Sequence, residues 1–404
     1  MADVDADPAD QSDPAAPAAK RPRPGDADRR APARPPLAHP LCGADLGTLW
    51  RARRRFGWAS AKRTPQLALA WAAALARFPS TAVERRVVDR RIARGHALPP
   101  AVFILGHWRS GTTHLYNVLA KAPRFAYVPP VTTGLPWDAL GLGRALRPML
   151  EAMLPEERWI DPVPVEPDSP QEDEIALANM DTLSFYHGIY FPRHLQHALD
   201  RGVFLEGVTD AELDRWRRRF THLLHKLAMS QPQADALLIK NPVYTARAGL
   251  LQRTLPGAKF IHLHRHPHEV FRSMRNFWQR LLEALSLQGF DHVDVDELVL
   301  STYPRLMQRL IDEAAALPPG SFIELGYEEL NADPLAAIER IYAALDLPGF
   351  ADDRPRFEAY LDTVKRYEKQ RYAMDEATKR KIDARWGPFM ERWGYASGVS
   401  GAAG

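Results

Sequence analysis

Cysteine is nearly absent from this chain of 404 residues: Cys42 stands alone, so no disulfide can close within the chain and no cysteine-based metal cluster can form. Such sparse thiol usage suits a reducing compartment, and the expected location is the cytoplasm. An excess of one charge is missing as well. The 53 Lys and Arg against 50 Asp and Glu leave a formal net charge of +3, too little for a surface that neutralises many phosphates, and no nucleic-acid partner is expected. No apolar run reaches the roughly 20 residues of a membrane-spanning helix, and the acidic, Ala/Pro-rich start is unlike a secretory signal peptide. What is present, 46% hydrophobic and 25% charged residues, is enough for one large core or two smaller ones.

A further absence sits inside a motif. Gly106-His107-Trp108-Arg109-Ser110-Gly111-Thr112-Thr113 has the glycine spacing of a phosphate-binding loop, but Thr112 stands where its lysine belongs. The run Ala101-Val102-Phe103-Ile104-Leu105 before it reads as a buried strand, and His114 to Ala120 after it reads as a helix, the context such a loop requires. Backbone N–H groups and the helix N-terminus bind an anion without the lysine. In nucleoside triphosphatases that lysine reaches the β/γ-phosphates and the next hydroxyl holds Mg²⁺, so its loss argues against a triphosphate. The cation comes earlier, at Arg109, among the hydroxyls of Ser110, Thr112 and Thr113. A forked donor there suits a single 5′-phosphate and its attached group.

A second anion element follows. Lys259 to His264 is apolar and β-branched enough for an inner strand, Pro267 marks a helix start, and Glu269 to Leu285 continues as helix. Arg265 at the strand's carboxyl end and Ser273 two turns into that helix can converge on one phosphate, at the edge where open α/β sheets bind ligands. A nucleotide hydrolase usually ends such a strand with a Mg²⁺-binding aspartate. This one ends in His264-Arg265, so a metal-free ligand is expected.

Arg109-Ser110-Gly111-Thr112-Thr113 in this setting resembles the 5′-phosphosulfate loop of sulfotransferases that use 3′-phosphoadenosine 5′-phosphosulfate (PAPS), in the arginine form of bacterial and Golgi-type members. Arg265 with Ser273 eight residues on is similar to the family's 3′-phosphate element. Leu237-Leu238-Ile239-Lys240-Asn241-Pro242 resembles the strand whose lysine approaches the transferring sulfuryl group. Gly326-Tyr327-Glu328-Glu329-Leu330, then Asp333-Pro334, is similar to the segment whose tyrosine lines the adenosine pocket, and Arg371-Tyr372 looks like the late basic/aromatic loop that closes over the nucleotide.

The resemblance covers residues 100 to 395. It implies transfer of a sulfuryl group from PAPS, without metal, to a hydroxyl or amine of a small-molecule, lipid or glycan acceptor. It further implies that Arg109 and the loop amides hold the 5′-phosphosulfate while Lys240 neutralises the departing bridging oxygen. One departure leaves the base open. Cytosolic members carry a histidine two residues after the lysine, and here that position is Pro242. Ser169-Pro170-Gln171-Glu172-Asp173-Glu174 looks like the acidic motif of bacterial members and offers Glu172 and Glu174, since clustered carboxylates raise one another's pKa. The same cluster would equally serve as an ordinary acidic helix start. His107 is the competing base. A P-loop small-molecule kinase and a nucleotide-binding scaffold without chemistry are the alternative readings.

The order of elements predicts the fold class. Ala236 to Lys240, Thr245 to Leu255, Lys259 to His264, the helix to Leu285, Asp296 to Leu317, Phe322 to Leu325 and Leu335 to Leu345 alternate strand with helix. That is an α/β, P-loop-like three-layer sandwich, a central parallel sheet with helices on both faces. Asp375 to Trp393 reads as a closing helix. The expected divisions are a disordered tail over 1–40, a helical segment over 41–98 packed on or flanking the domain, a sulfotransferase domain over 99–395, and a flexible end over 396–404. Between Leu46 and Arg94, the apolar run Leu67 to Leu75 follows Arg51, Arg53, Arg54, Arg55, Lys62 and Arg63. Such a segment either packs on the domain or touches an anionic membrane peripherally.

His262, His264, His266 and His268 alternate, but only the first two share a strand face before Pro267. With no cysteine or helical His-Glu pair nearby, no metal site is expected. Trp108, Trp137, Trp159, Phe185, Tyr186 and Tyr190 fit an apolar acceptor pocket or ordinary core.

Overall fold

The computed structural model describes residues 38–152, 168–364 and 374–395. The expected tail up to residue 37, Trp159, Arg371, Tyr372 and residues 396–404 lie outside them. Five strands, β1 (Ala101–Leu105), β2 (Phe125–Ala126), β3 (Ala236–Lys240), β4 (Lys259–His264) and β5 (Phe322–Gly326), pair in parallel in the order β2-β3-β1-β4-β5. Phe103 lies level with Ile239 on one side and Phe260 on the other. All five β1 residues are buried, as expected where helices cover both faces of a parallel sheet.

Alternate strand residues feed the two faces. Phe103, Ile239 and Phe260 pack with Trp216, Phe220 and Leu223, whereas Ile104, Leu238 and Ile261 pack with Leu115, Tyr116, Ile338 and Ile341. Each such side chain removed from water contributes about 1.5–3 kcal/mol. The sandwich read from the sequence is therefore the observed one.

The helices that position the site are α1 (Leu46–Phe56), α2 (Thr64–Ala93), α3 (Thr112–Leu119), α4 (Glu174–Ala178), α5 (Asp210–Ser230), α6 (Pro267–Leu285), α7 (Val295–Ala314), α8 (Pro334–Ala344) and α9 (Glu376–Arg392). The first two divide at Gly57, whose φ of 84° ends α1 in the left-handed way that glycine tolerates. Leu49, Phe56, Leu67 and Ala74 enter one core with Tyr190, Phe191, Trp278 and Leu285. Buried polar ties fasten α2 further. Arg77 pairs with Asp138, Thr81 Oγ1 donates to Asp138 Oδ1 at 3.0 Å, and Glu84 pairs with Lys226 while accepting from the Leu140 and Gly141 amides at 3.0 and 2.7 Å.

The β4 histidines also find protein partners. His262 Nδ1 lies 2.8 Å from Glu324 Oε2, and His264 Nδ1 lies 2.8 Å from the Tyr395 hydroxyl while its ring stacks on Trp393. Among the described residues no three potential metal ligands come together.

Candidate active site

The carboxyl ends of β1, β3 and β4 form one edge, and the candidate residues gather there. Between β1 and α3 the loop turns through three positive φ values: 143° at Gly106, 69° at Arg109 and 96° at Gly111. Arg109 is not glycine, so its left-handed backbone is held by the surroundings at some cost. Such turns point successive N–H groups into one concavity, an anion nest at the start of α3. Thr245 braces the loop's entry, its Oγ1 accepting from Gly106 N at 2.8 Å and donating to Gly106 O at 3.1 Å. Ser110 Oγ is enclosed and meets no hydrogen-bond partner among the described residues.

On the β4 side, four candidates from four segments meet. Arg109 Nε donates to Ser273 Oγ at 2.8 Å, Arg265 donates to the Arg109 carbonyl at 3.3 Å, and the Arg265 guanidinium lies 4.6 Å from the centre of the Tyr327 ring. Tyr327 in turn lies against Gly111. Glu269 on α6 pairs with both Arg265 and Arg272.

On the β3 side, Lys240 donates to Thr113 Oγ1 at 3.2 Å and pairs with Glu172. The acidic triplet splits at this point. Glu172 reaches the lysine, whereas Asp173 and Glu174 turn inward and are 0% and 1% exposed. Asn241 Nδ2 donates to Asp173 Oδ1 at 2.8 Å and to Glu174 Oε2 at 2.9 Å, and the Tyr244 hydroxyl donates to Asp173. Burial pushes the Asp173 carboxyl up to about 7, against the hydrogen bond from Tyr244. It raises Glu174 too, opposed by the fully buried Arg247.

His107 is 1% exposed; its Nδ1 donates to Trp108 O at 2.8 Å, and its Nε2 is enclosed without a hydrogen-bond partner among the described residues. Burial lowers its pKa to about 4, so the ring is neutral at pH 7 but shut away from solvent. Asn241, Thr245 and Arg247 fell within segments read from the sequence, but neither they nor Tyr244 were given a role in the site. The only signal was their position, immediately after the strand-end lysine.

A parallel α/β sheet whose central crevice joins a lysine-free glycine loop, two arginines and a strand-end lysine is suited to holding an anionic group. The sulfotransferase family model matches residues 100–352, and the chain belongs to that family. It is 30% identical over 312 residues, 77% of this chain and 79% of the relative, to the omega-hydroxy-beta-dihydromenaquinone-9 sulfotransferase Stf3 of Mycobacterium bovis, and equally to that of Mycobacterium tuberculosis. Its fold resembles the crystal structure of STF9 from Mycobacterium avium, with TM-score 0.62, 17% identity and coverage of 88% of this chain and 97% of that one. It also resembles STF1 from Mycobacterium tuberculosis H37Rv, with TM-score 0.59, 18% identity and coverage of 84% and 91%. The chain is thus an enzyme that transfers a sulfuryl group, which displaces the kinase and scaffold readings.

Proposed function

We propose that the donor is PAPS and that the acceptor is an apolar molecule bearing a hydroxyl, a lipid being the best fit. The convergence of Arg109, Ser273, Arg265 and Tyr327 on one side of the loop, with Lys240 and Glu172 on the other, carries this reading. Arg265 and Ser273 take the 3′-phosphate, Tyr327 the adenosine, and the loop amides with Arg109, Thr112 and Thr113 the 5′-phosphosulfate. The enclosed Ser110 hydroxyl supplies one more donor for that anion.

The acceptor oxygen attacks sulfur as the S–O bond to the 5′-phosphate breaks, leaving a sulfate ester and adenosine 3′,5′-bisphosphate. Lys240 moves to the bridging oxygen and takes up its growing charge, which releases Glu172 to accept the hydroxyl proton. Glu174 acts on position rather than on the proton, through Asn241 beside Lys240. Catalysis is then mainly alignment and electrostatics. The lipid class is supported by the acceptor named for the mycobacterial relative, and a cytoplasmic enzyme working at the membrane surface is the matching location.

Calorimetry in a chelator, with adenosine 3′,5′-bisphosphate and separately with ATP, tests the donor. Metal-independent binding of the bisphosphate, tighter than ATP, is expected; equal binding of ATP or loss in the chelator overturns it. Labelled PAPS offered with hydroxylated lipids, glycans and small phenols tests the acceptor class.

A further inference from the structure

We propose that the outer face of α2 docks on an anionic lipid bilayer, an inference that rests on the apolar acceptor proposed above and names the surface through which it arrives. The inner face of α2 is fixed by Arg77, Thr81 and Glu84 to Asp138 and Lys226, so its outer face is a settled surface. That face is apolar: Leu69, Leu75, Phe78, Val83 and Val87 are each 42–65% exposed, with Ala68, Ala72, Ala76 and Pro79 exposed between them. From Ala68 to Val87 the stripe runs about 28 Å at 1.5 Å per residue.

Charge identifies what covers it. From residue 46 to 94 there are twelve Arg and Lys against Glu84 and Asp89, in a chain whose net charge is +3. Exposed cations flank the stripe along the chain, Arg54 and Lys62 in the segments before α2 and Arg86, Arg90, Arg91 and Arg94 in and just after its last two turns. Trp50 and Trp58 stand out into solvent beside the first group, with the Arg53 guanidinium 3.5 Å above the Trp58 ring. An apolar face framed by cations and amphipathic aromatics matches the boundary between anionic headgroups and acyl chains. A second copy of the chain would instead bring cation against cation.

The surface also continues toward the reaction centre. Val83, Val87 and Arg91 line a cleft of about 820 Å³ whose other walls include Tyr127 and Asp168. Val128, next to Tyr127, accepts from Gln171 N at 2.8 Å, and Glu172 follows directly. The cleft thus lies against the segment that leads, through Gln171, to Glu172.

Sedimentation with vesicles of phosphatidylcholine containing phosphatidylglycerol, and with phosphatidylcholine alone, tests the proposal. The wild type should sediment with the anionic vesicles, less at high salt and less with neutral ones. Leu75→Glu/Phe78→Glu should lower that partition by about tenfold or more while keeping its circular dichroism and its affinity for adenosine 3′,5′-bisphosphate. A wild type left in the supernatant, or a variant partitioning like it, overturns the docking. So does a dimer that the variant converts to monomer without any vesicle binding. Vesicle binding without sulfation of any lipid would remove the acceptor class and leave the docking standing.

Discussion

Gly111 and Tyr327 occupy space that a single methyl group would contest: a Cβ on Gly111 would lie 2.2 Å from Cδ2 of the tyrosine ring, at a φ of 96°. The ring and the loop start of α3 are thereby held in one arrangement, with Arg265 beside the ring.

Gly111→Ala is therefore expected to be far more damaging than its chemistry suggests. Gly95→Ala is the control, since at Gly95, with φ of 85°, an added Cβ would meet nothing within 4 Å among the described residues; it isolates the backbone cost of about 1 kcal/mol. Thermal unfolding should show a larger loss for Gly111→Ala, and calorimetry at least a tenfold loss of bisphosphate affinity for that variant only. Equal losses in stability and no change in affinity would mean that the ring yields freely.

Arg265→Ala and Lys240→Ala should divide recognition from chemistry. A charged hydrogen bond is worth about 1.5–3 kcal/mol, so Arg265→Ala should weaken bisphosphate binding about 10- to 150-fold. Lys240→Ala should bind nearly normally and lose kcat instead. A rise in KM alone for Lys240→Ala would remove its proposed role.

The base is tested by three variants at matched bisphosphate affinity. Glu172→Gln should lose about 10²–10⁴-fold in kcat, and the acidic limb of the wild-type pH profile should vanish with it. Glu174→Gln should lose less and keep that limb, because it acts through Asn241. If Glu172→Gln stays within a few-fold of wild type while His107→Ala is inactive, the proton goes to the loop histidine.

Asp173 should leave a mark on stability. Its carboxyl, normally near 3.8, is raised by burial to about 7, so between these values the folded state holds the extra proton. Stability should then fall as pH rises from about 4 to about 7. Melting temperatures of Asp173→Asn should fall less steeply than those of the wild type across this window. Identical slopes would show that the Asp173 carboxyl titrates alike in the folded and unfolded states.

The inner strands were legible because β1, β3 and β4 are short apolar runs ended by loops, the mark of strands buried on both sides. Strand β2 was not, since two residues, Phe125 and Ala126, carry no periodicity and are defined only by pairing with β3. Arg265, Ser273, Arg109 and Lys240 were legible as cations and a hydroxyl at strand ends and helix starts. The division within Glu172-Asp173-Glu174 was not, because nothing in three consecutive acidic residues tells that Glu172 reaches Lys240 while Asp173 and Glu174 both turn inward to Asn241. Thr245 likewise gave no signal; its hydroxyl finds Gly106 across 139 positions. Within 46–94 the basic and apolar content was plain, but which face of α2 stays bare depends on where Asp138 and Lys226 sit.

Those last two residues also decide where this enzyme can be cut. The matched family region starts at residue 100, yet Asp138 and Lys226, both within it, are buried against Arg77 and Glu84 outside it. A cut before residue 100 would strip both charges of their counter-ions, at about 3–5 kcal/mol for each that stayed buried, against the roughly 5–15 kcal/mol that holds an entire domain together. We therefore expect the region from residue 100 onward to melt at a lower temperature, or not to fold, when the preceding helices are removed; an unchanged melting temperature for that truncation would overturn this. On that expectation, a transplant or truncation meant to keep the chemistry should carry the amino-terminal helices along as its counter-ions.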